Sequence, residues 1–161
     1  MHLLLKNKTK LIDVRAPIEF KDGALPDSIN LPILLDDERA AVGKTYKNKG
    51  NESAIKKGHL IVNGKIKNKR DNQWLDFIEK FPEAQLYCAR GGLRSEIAQS
   101  WLKEVGCDIK RISGGFKALR NTCLSILNDA SNDNKKWISL RARSLAGRTL
   151  GGINFTIIAG F

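Results

Sequence analysis

The stretch that most constrains this chain is Tyr87-Cys88-Ala89-Arg90-Gly91-Gly92-Leu93-Arg94-Ser95. Residues 84–87 just before it suit the end of a short buried strand. After it, Ile97, Ala98, Trp101, Leu102 and Val105 recur at helical spacing, with Gly106 placed as a C-cap. The sequence therefore predicts Cys88 on a strand-to-helix turn, facing unpaired helix N–H groups and the positive end of the helix dipole. Gly91 and Gly92 free the backbone to curl, so that several amides can point at one spot. Arg90 and Arg94 add positive charge, and each of these features favours thiolate over thiol. A buried cysteine beside an ordinary glycine turn is the plainer alternative. The Cys-x5-Arg spacing fits two chemistries: carrying sulfur or selenium as a persulfide-type adduct, or attacking a phosphate bound by the amides and Arg94.

A chain of 161 residues suits one globular domain with a real core, and 42% hydrophobic with 28% charged residues is ordinary for a soluble protein. Three cysteines without regular spacing make no disulfide framework. The apolar N-terminal run meets lysine at once, too early for a signal peptide, and no stretch has the length of a membrane span. A reducing cytoplasm follows, with no membrane partner expected. His2 and His59 offer no ligand spacing, so no metal site is expected, and Cys107 and Cys123 read as packing residues.

The net charge of +11 is unevenly placed. Residues 44–70 carry Lys44, Lys47, Lys49, Lys56, Lys57, Lys65, Lys67, Lys69 and Arg70 against Glu52 alone. Residues 134–161 carry Lys135, Lys136, Arg141, Arg143 and Arg148 and no acid. Such segments attract a polyanion, with a solvated basic face as the alternative. Aromatic residues are sparse there, so backbone contact rather than base stacking is the expected mode.

Along the chain, residues 9–14 and 29–32 read as strands, and Pro17 can open a short helix turn. Asp36 is a candidate cap for a helix from 37 towards 46, and Asn51 for another ending at Gly58. Leu60-Ile61-Val62 followed by Asn63-Gly64 suggests a small strand and turn. A helix over 72–81, a strand over 109–112 and a helix over 116–127 complete the pattern. Alternation of this kind predicts a three-layer α/β domain, with a mainly parallel central sheet and helices on both faces. Asp13, Arg15, the Cys88 loop and Gly114-Gly115 all fall at strand carboxyl ends and can meet there.

These residues resemble a known family. Leu11-Ile12-Asp13-Val14-Arg15, Glu19-Phe20, Gly23-Ala24-Leu25-Pro26 and Ile29-Asn30-Leu31-Pro32 are similar to the opening of a rhodanese domain. The Cys88 loop and Gly114-Gly115-Phe116-Lys117-Ala118-Leu119-Arg120 match its active-site loop and the stretch that follows. More narrowly, Asp37-Glu38-Arg39-Ala40, Val42-Gly43, Tyr46-Lys47, Gly58-His59 and Arg-Gly-Gly-Leu-Arg-Ser resemble the bacterial tRNA 2-selenouridine synthases. That resemblance implies a rhodanese-like fold over 1–127 and a cysteine that helps replace sulfur by selenium in the wobble 2-thiouridine of tRNA. Selenophosphate and geranyl diphosphate are the implied co-substrates, with no bound cofactor. Cys88 becomes the chalcogen carrier, and Arg90, Gly91, Gly92, Leu93, Arg94 and Ser95 hold the anionic adduct. Asp13 and Arg15 are supports: Asp13 either orients the loop arginines or caps a turn.

The resemblance departs at the C-terminus. Family members continue into a P-loop domain, whereas here Ala146-Gly147-Arg148-Thr149-Leu150-Gly151-Gly152-Ile153-Asn154 stands at that place. Ile153 replaces the phosphate lysine and Asn154 the magnesium hydroxyl. Residues 128–161 are thus expected to be a linker and a truncated P-loop remnant, unable to bind nucleotide or complete the synthesis alone. A cysteine-dependent phosphatase or arsenate reductase, and a non-catalytic tRNA-binding remnant, are the competing functions.

Overall fold

The computed structural model describes residues 7–130. Four short strands form one sheet: β1 (Leu11–Asp13), β2 (Ser28–Asn30), β3 (Gln85–Tyr87) and β4 (Lys110–Arg111). Their order is β2-β1-β3-β4, and all three pairings are parallel. Five helices accompany them: α1 (Pro17–Lys21), α2 (Asp36–Ile61), α3 (Gly64–Lys80), α4 (Leu93–Glu104) and α5 (Gly115–Ala130).

Side-chain alternation along the strands sorts the core into two clusters. Ile12 and Leu86 point to one face, where they pack with Val62, Trp74, Ala98, Trp101 and Leu102 from the α2–α4 side. Leu11 and Tyr87 point to the other, where they meet Leu119 and Phe116 of α5. The three layers expected from the sequence are present. Trp74 and Trp101 stack with ring centres 6.2 Å apart, and Trp74 Nε1 donates to Leu31 O at 2.9 Å. Replacing the fully buried Trp74 by Ala would remove about 3–5 kcal/mol.

Asp13 stands beside both Asn30 and Tyr87 in the register. The carboxyl ends of the three strands therefore finish level, and the residues just beyond them gather at one edge of the sheet. This is what brings the Cys88 loop against Gly114 and Gly115.

The segment between β2 and β3 departs from its sequence reading. Asp36 is the first residue of α2 rather than its cap. The free N–H of Leu35 is bound instead by Glu38 Oε2, while Asp36 Oδ1 accepts from Ile18 N–H at 2.9 Å and ties α2 to α1. The expected break before Asn51 is present as a kink at Gly50 (φ 78°, ψ −175°), and both limbs belong to α2. Residues 60–62 are not a strand. Leu60 and Ile61 end α2, and Val62 N–H closes the last turn on Gly58 O at 2.9 Å. Three apolar residues satisfy either period, and here helix packing decides because Val62 buries against the α3–α4 layer. Asn63-Gly64 then joins two helices, and α3 starts at Gly64 instead of 72. Its first turns look like a basic surface in sequence, yet Arg70 and Asp71 lie inside. Finally, α5 runs to Ala130, so 128–130 are helical rather than linker. The expectations for the basic tail and P-loop remnant lie outside the described residues.

Candidate active site

Cys88 directly follows β3 and is 3% exposed. The chain then turns through Gly91 (φ 67°) into α4, whose N-cap is Gly92. Two residues hold this turn closed from behind: Phe116 N–H donates to Cys88 O at 2.8 Å, and Lys117 N–H donates to Ala89 O at 3.0 Å. The approach is so close that a Cβ on Gly115 (φ 53°) would stand 2.1 Å from Cys88 O. Gly114-Gly115 is thus the back wall of the loop, as its position at a strand end suggested.

Ser95 lies in the first turn of α4, fully buried, with Oγ 3.3 Å from Cys88 Sγ. Its hydroxyl also reaches Gly92 O at 2.8 Å, and Gly92 O is 3.7 Å from the sulfur. One hydroxyl proton serves both acceptors, so ionisation of Cys88 would turn it from Gly92 O to the sulfur. Burial pushes the Cys88 thiol up, but the Ser95 hydroxyl, the N–H groups of Arg90 and Ser95 and the charge of Arg94 outweigh it. The thiol lies below the ordinary cysteine value. Cys107 and Cys123 behave oppositely. Burial pushes both up, with Asp108 adding to the effect at Cys107. The structure therefore separates one cysteine whose thiol is held low from two whose thiols are pushed up.

The two loop arginines differ. Arg90 is exposed and its guanidinium has no ion-pair partner among the described residues. Arg94 is paired end-on with Glu19 of α1, with Nη1 donating to Oε2 at 2.6 Å and Nη2 to Oε1 at 3.1 Å. Glu19 Oε2 also accepts from Ala16 N–H at 3.1 Å and lies 3.0 Å from Arg39 Nε. Burial alone would raise the Glu19 carboxyl; the Arg94 hydrogen bond and charge, the Ala16 amide and Arg39 hold it below the usual carboxylate range.

Asp13 does not orient the loop arginines. It accepts from Arg15 N–H at 2.9 Å, a turn-capping bond, and grips the Arg15 guanidinium at 2.6–3.0 Å. Arg15 also donates to Gly23 O at 2.8 Å and lies 3.9 Å over the Phe116 ring. This buried pair sits on the α5 face with Tyr87, whereas Cys88 packs on the other. Its short i, i+2 spacing makes local pairing cheaper than reaching across the sheet. Sequence reading placed Glu19 in a motif without a role, and a carboxylate one turn into a Pro-started helix is the signal that could have found it. Arg111 was also missed. It crosses from β4 to bind Gly91 O and Glu96, both at 3.2 Å, and Gln99 at 2.8 Å.

Beside the loop opens a cleft of about 920 Å³ between the two limbs of α2 and the start of α4. Val42, Ala54, Ile55, Val62, Ile97 and Trp101 give it apolar walls, while Arg39, Lys44, Lys47, Arg90 and Arg94 supply positive charge. Among the described residues, no group of three or more His, Cys, Asp or Glu is placed to hold a metal ion, and no helix is long and apolar enough to cross a membrane.

The basic run of 44–70 is not uniform. Arg70 is buried, pairing with Glu38 at 2.7 Å and donating to Ile33 O, so it is a structural brace between α3 and the start of α2. Lys67 is held by Asp71 at 3.0 Å and Glu104 at 3.1 Å. Lys44, Lys47, Lys49, Lys56, Lys57, Lys65 and Lys69 are exposed.

Known proteins share this architecture. The rhodanese-like domain family matches residues 2–122. The chain is 49% identical over 141 residues to the tRNA 2-selenouridine synthase of Nitrosomonas europaea, covering 88% of this chain and 36% of that protein. It is 48% identical over 147 residues to that of a Sulfurovum species, covering 91% and 40%. It therefore spans little more than a third of the length of these relatives. Among solved structures, the N-terminal domain of a putative ATP/GTP binding protein from Clostridium difficile 630 superposes with a TM-score of 0.66 at 33% identity, covering 73% of this chain and 90% of that one. With a parallel sheet, a cysteine loop at its carboxyl edge and a family match across nearly all the described residues, the chain belongs to the rhodanese-like domain family.

Proposed function

We propose that this chain carries sulfur or selenium on Cys88 for modification of 2-thiouridine in tRNA, as the rhodanese part of a tRNA 2-selenouridine synthase. The supporting observation is the asymmetry among the three cysteines: only Cys88 has its thiol held low, by a loop of amides, a hydroxyl and an arginine. In the carrying step the Cys88 thiolate bonds to the outer sulfur or selenium of a sulfane-type donor such as thiosulfate or selenosulfate. The bond between that chalcogen and the donor's sulfonate sulfur breaks, and its electron pair leaves with sulfite. The product is an anion one chalcogen longer than the thiolate. The amides and Ser95 that favour thiolate suit this adduct for the same reason.

Selenophosphate and geranyl diphosphate are the co-substrates that the relatives' activity suggests; the selenium of selenophosphate is already at the selenide level, so it would enter the overall exchange at another step than this loading of Cys88. An apolar cleft with arginines beside the loop suits a ligand with an apolar chain and an anionic head. The exposed lysines of α2 and α3 would meet tRNA phosphates. The work is that of a reducing, cytoplasmic setting. Residues 131–161 would lead from this domain towards the part of the relatives that this chain does not span.

Phosphate-ester hydrolysis fits the site less well, because it needs a general acid for its leaving group. The carboxylate nearest the loop arginine is Glu19, and its pairing with Arg94 and Arg39 holds it ionised.

The test is to incubate the chain with sulfane-sulfur and selenium donors and locate the adduct by peptide mass spectrometry. One added chalcogen on Cys88, absent in a folded Cys88→Ser variant, is the expected result. An adduct on Cys107 or Cys123 instead would remove the assignment.

A further inference from the structure

We infer that Glu19 is a positioning residue for the Cys88 site: it fixes Arg94, with Arg39, at the mouth of the loop, and so selects donors that bear an oxyanion. This rests on Cys88 being the nucleophile, and goes beyond it by assigning donor selectivity to a residue on another element.

The geometry begins with α1. Pro17 starts the helix, and Glu19 reaches back to Ala16 N–H at 3.1 Å, which fixes its carboxylate before any arginine is considered. That carboxylate is then shared between two walls of the cleft. Arg94 comes from α4 and Arg39 from α2, and Oε2 lies 2.6 Å from one and 3.0 Å from the other. Glu19 is mostly buried, its side chain 16% exposed, so the pairing is shielded from solvent more than a surface bridge would be.

A guanidinium has five N–H donors. Glu19 takes one from each terminal nitrogen of Arg94. The fork formed by Nε and the second Nη2 proton has no partner among the described residues, and it matches two oxygens of a phosphate or sulfonate group. A long side chain left untethered would lose that alignment to rotamer freedom. Glu19 thus gives up part of the loop's positive charge and gains a fixed direction for the rest.

Alkylation of Cys88 in the whole 161-residue chain reads this directly, with iodoacetate and iodoacetamide as the charged and neutral probes. The quantity is the ratio of their second-order rate constants at Cys88, which cancels changes in thiolate population. The comparison covers wild type, Glu19→Gln, Glu19→Asp and Arg94→Gln, with far-ultraviolet circular dichroism and urea midpoints checking the fold. In the expected result the ratio falls about fivefold in Arg94→Gln and in both Glu19 variants, and the double variant Glu19→Gln/Arg94→Gln falls no further. An unchanged ratio in folded Glu19→Gln would make Glu19 merely structural. A ratio that rises in Glu19→Gln, with Glu19→Asp like wild type, would make it a competing charge and overturn positioning. Labelling found on Cys107 or Cys123 would instead undo the nucleophile assignment, a separate failure visible in the same peptide map.

Discussion

Gly115→Ala is the sharpest perturbation of this loop. Two glycines that both have positive φ allow its cost to be separated. Gly106 closes α4 at φ 83°: its N–H bonds Lys103 O at 3.0 Å and the next N–H, of Cys107, bonds Leu102 O at 2.9 Å. A methyl there meets nothing within 4 Å. Gly115 has φ 53°, but its methyl would lie 2.1 Å from Cys88 O and 2.5 Å from Gly91 N. Both substitutions incur the left-handed backbone cost of about 1–2 kcal/mol. Only Gly115→Ala adds an overpacking cost of about 1–3 kcal/mol, since the atoms it strikes are backbone and cannot rotate away. Separating the segments also stretches Phe116 N–H from Cys88 O, a buried bond of 2.8 Å whose loss costs about 1–3 kcal/mol.

Gly115→Ala should therefore cost roughly 3–8 kcal/mol, a large share of the 5–15 kcal/mol typical of a domain, against about 1–2 for Gly106→Ala. Urea denaturation gives both values from the midpoint shift. Iodoacetamide kinetics on the folded fraction should show slowed Cys88 alkylation in Gly115→Ala and a wild-type rate in Gly106→Ala. Equal stability losses, or an unslowed Cys88 in Gly115→Ala, would refute the claim that the Gly114-Gly115 turn holds the loop in its reactive shape.

Ser95→Ala removes the hydroxyl beside Cys88 Sγ, and a hydrogen bond to a charged group contributes about 1.5–3 kcal/mol. Alkylation measured below the thiol's titration midpoint should slow by about tenfold or more, with little change well above it. Asp13→Asn leaves the buried Arg15 guanidinium without its countercharge and should cost about 3–5 kcal/mol in urea, while the alkylation rate of folded molecules is maintained. Glu19 has its folded carboxyl value below the unfolded one, so its contribution is complete above the unfolded value and is lost as pH falls through the folded value. Stability measured against pH should accordingly show a shallower acid limb in Glu19→Gln than in wild type. Replacing Lys44, Lys47 and Lys49 by Gln should reduce the salt slope of tRNA binding by about one unit for each phosphate no longer neutralised, whereas an unchanged slope would mark these lysines as a solvated face.

The parts legible in the sequence were those in which local chemistry and long-range packing agree. The Cys88 turn was one, because glycines, arginines and a following amphipathic helix all demand the same strand-to-helix geometry. The meeting of the loop with Gly114-Gly115 was another, since parallel strands must deliver both to the same edge. The region between β2 and β3 was less legible. Residues 60–62 carry an apolar run too short for a period, so only the packing of Ile61 and Val62 against α3 and α4 fixes it as a helix end. Arg70 and Asp71 were hidden for a different reason: charge in sequence suggests solvent, and their burial depends on partners distant in the chain, such as Glu38 and the Ile33 carbonyl. Asp13 and Glu19 show the same limit at the site. Both are carboxylates with arginines nearby in sequence or motif, but which arginine each holds follows from where the fold places it: Asp13 on the α5 face of the sheet, Glu19 on α1 between Arg94 and Arg39.

Behind the net charge of +11, two populations of basic side chains among the described residues do different work. Arg15, Arg70, Arg94 and Arg111 each engage an acid within the fold, three of them at 2.6–2.7 Å and Arg111 at 3.2 Å. A planar guanidinium can satisfy several acceptors at once with little reorganisation, which suits joining one element to another. Arg15 shows this by serving Asp13, Gly23 O and the Phe116 ring together. The exposed lysines of α2 and α3 have no such geometry, and an ammonium on a flexible stem can follow an irregular phosphate backbone without a fixed pose. Arg90 belongs to neither group. It is an arginine left exposed at the lip of the cysteine loop, where the cleft opens beside it. On the proposed function, specific anion recognition at Cys88 and unspecific attraction of a polyanion nearby would fall to different side chains, and substitutions in one group should leave the other's measured property intact.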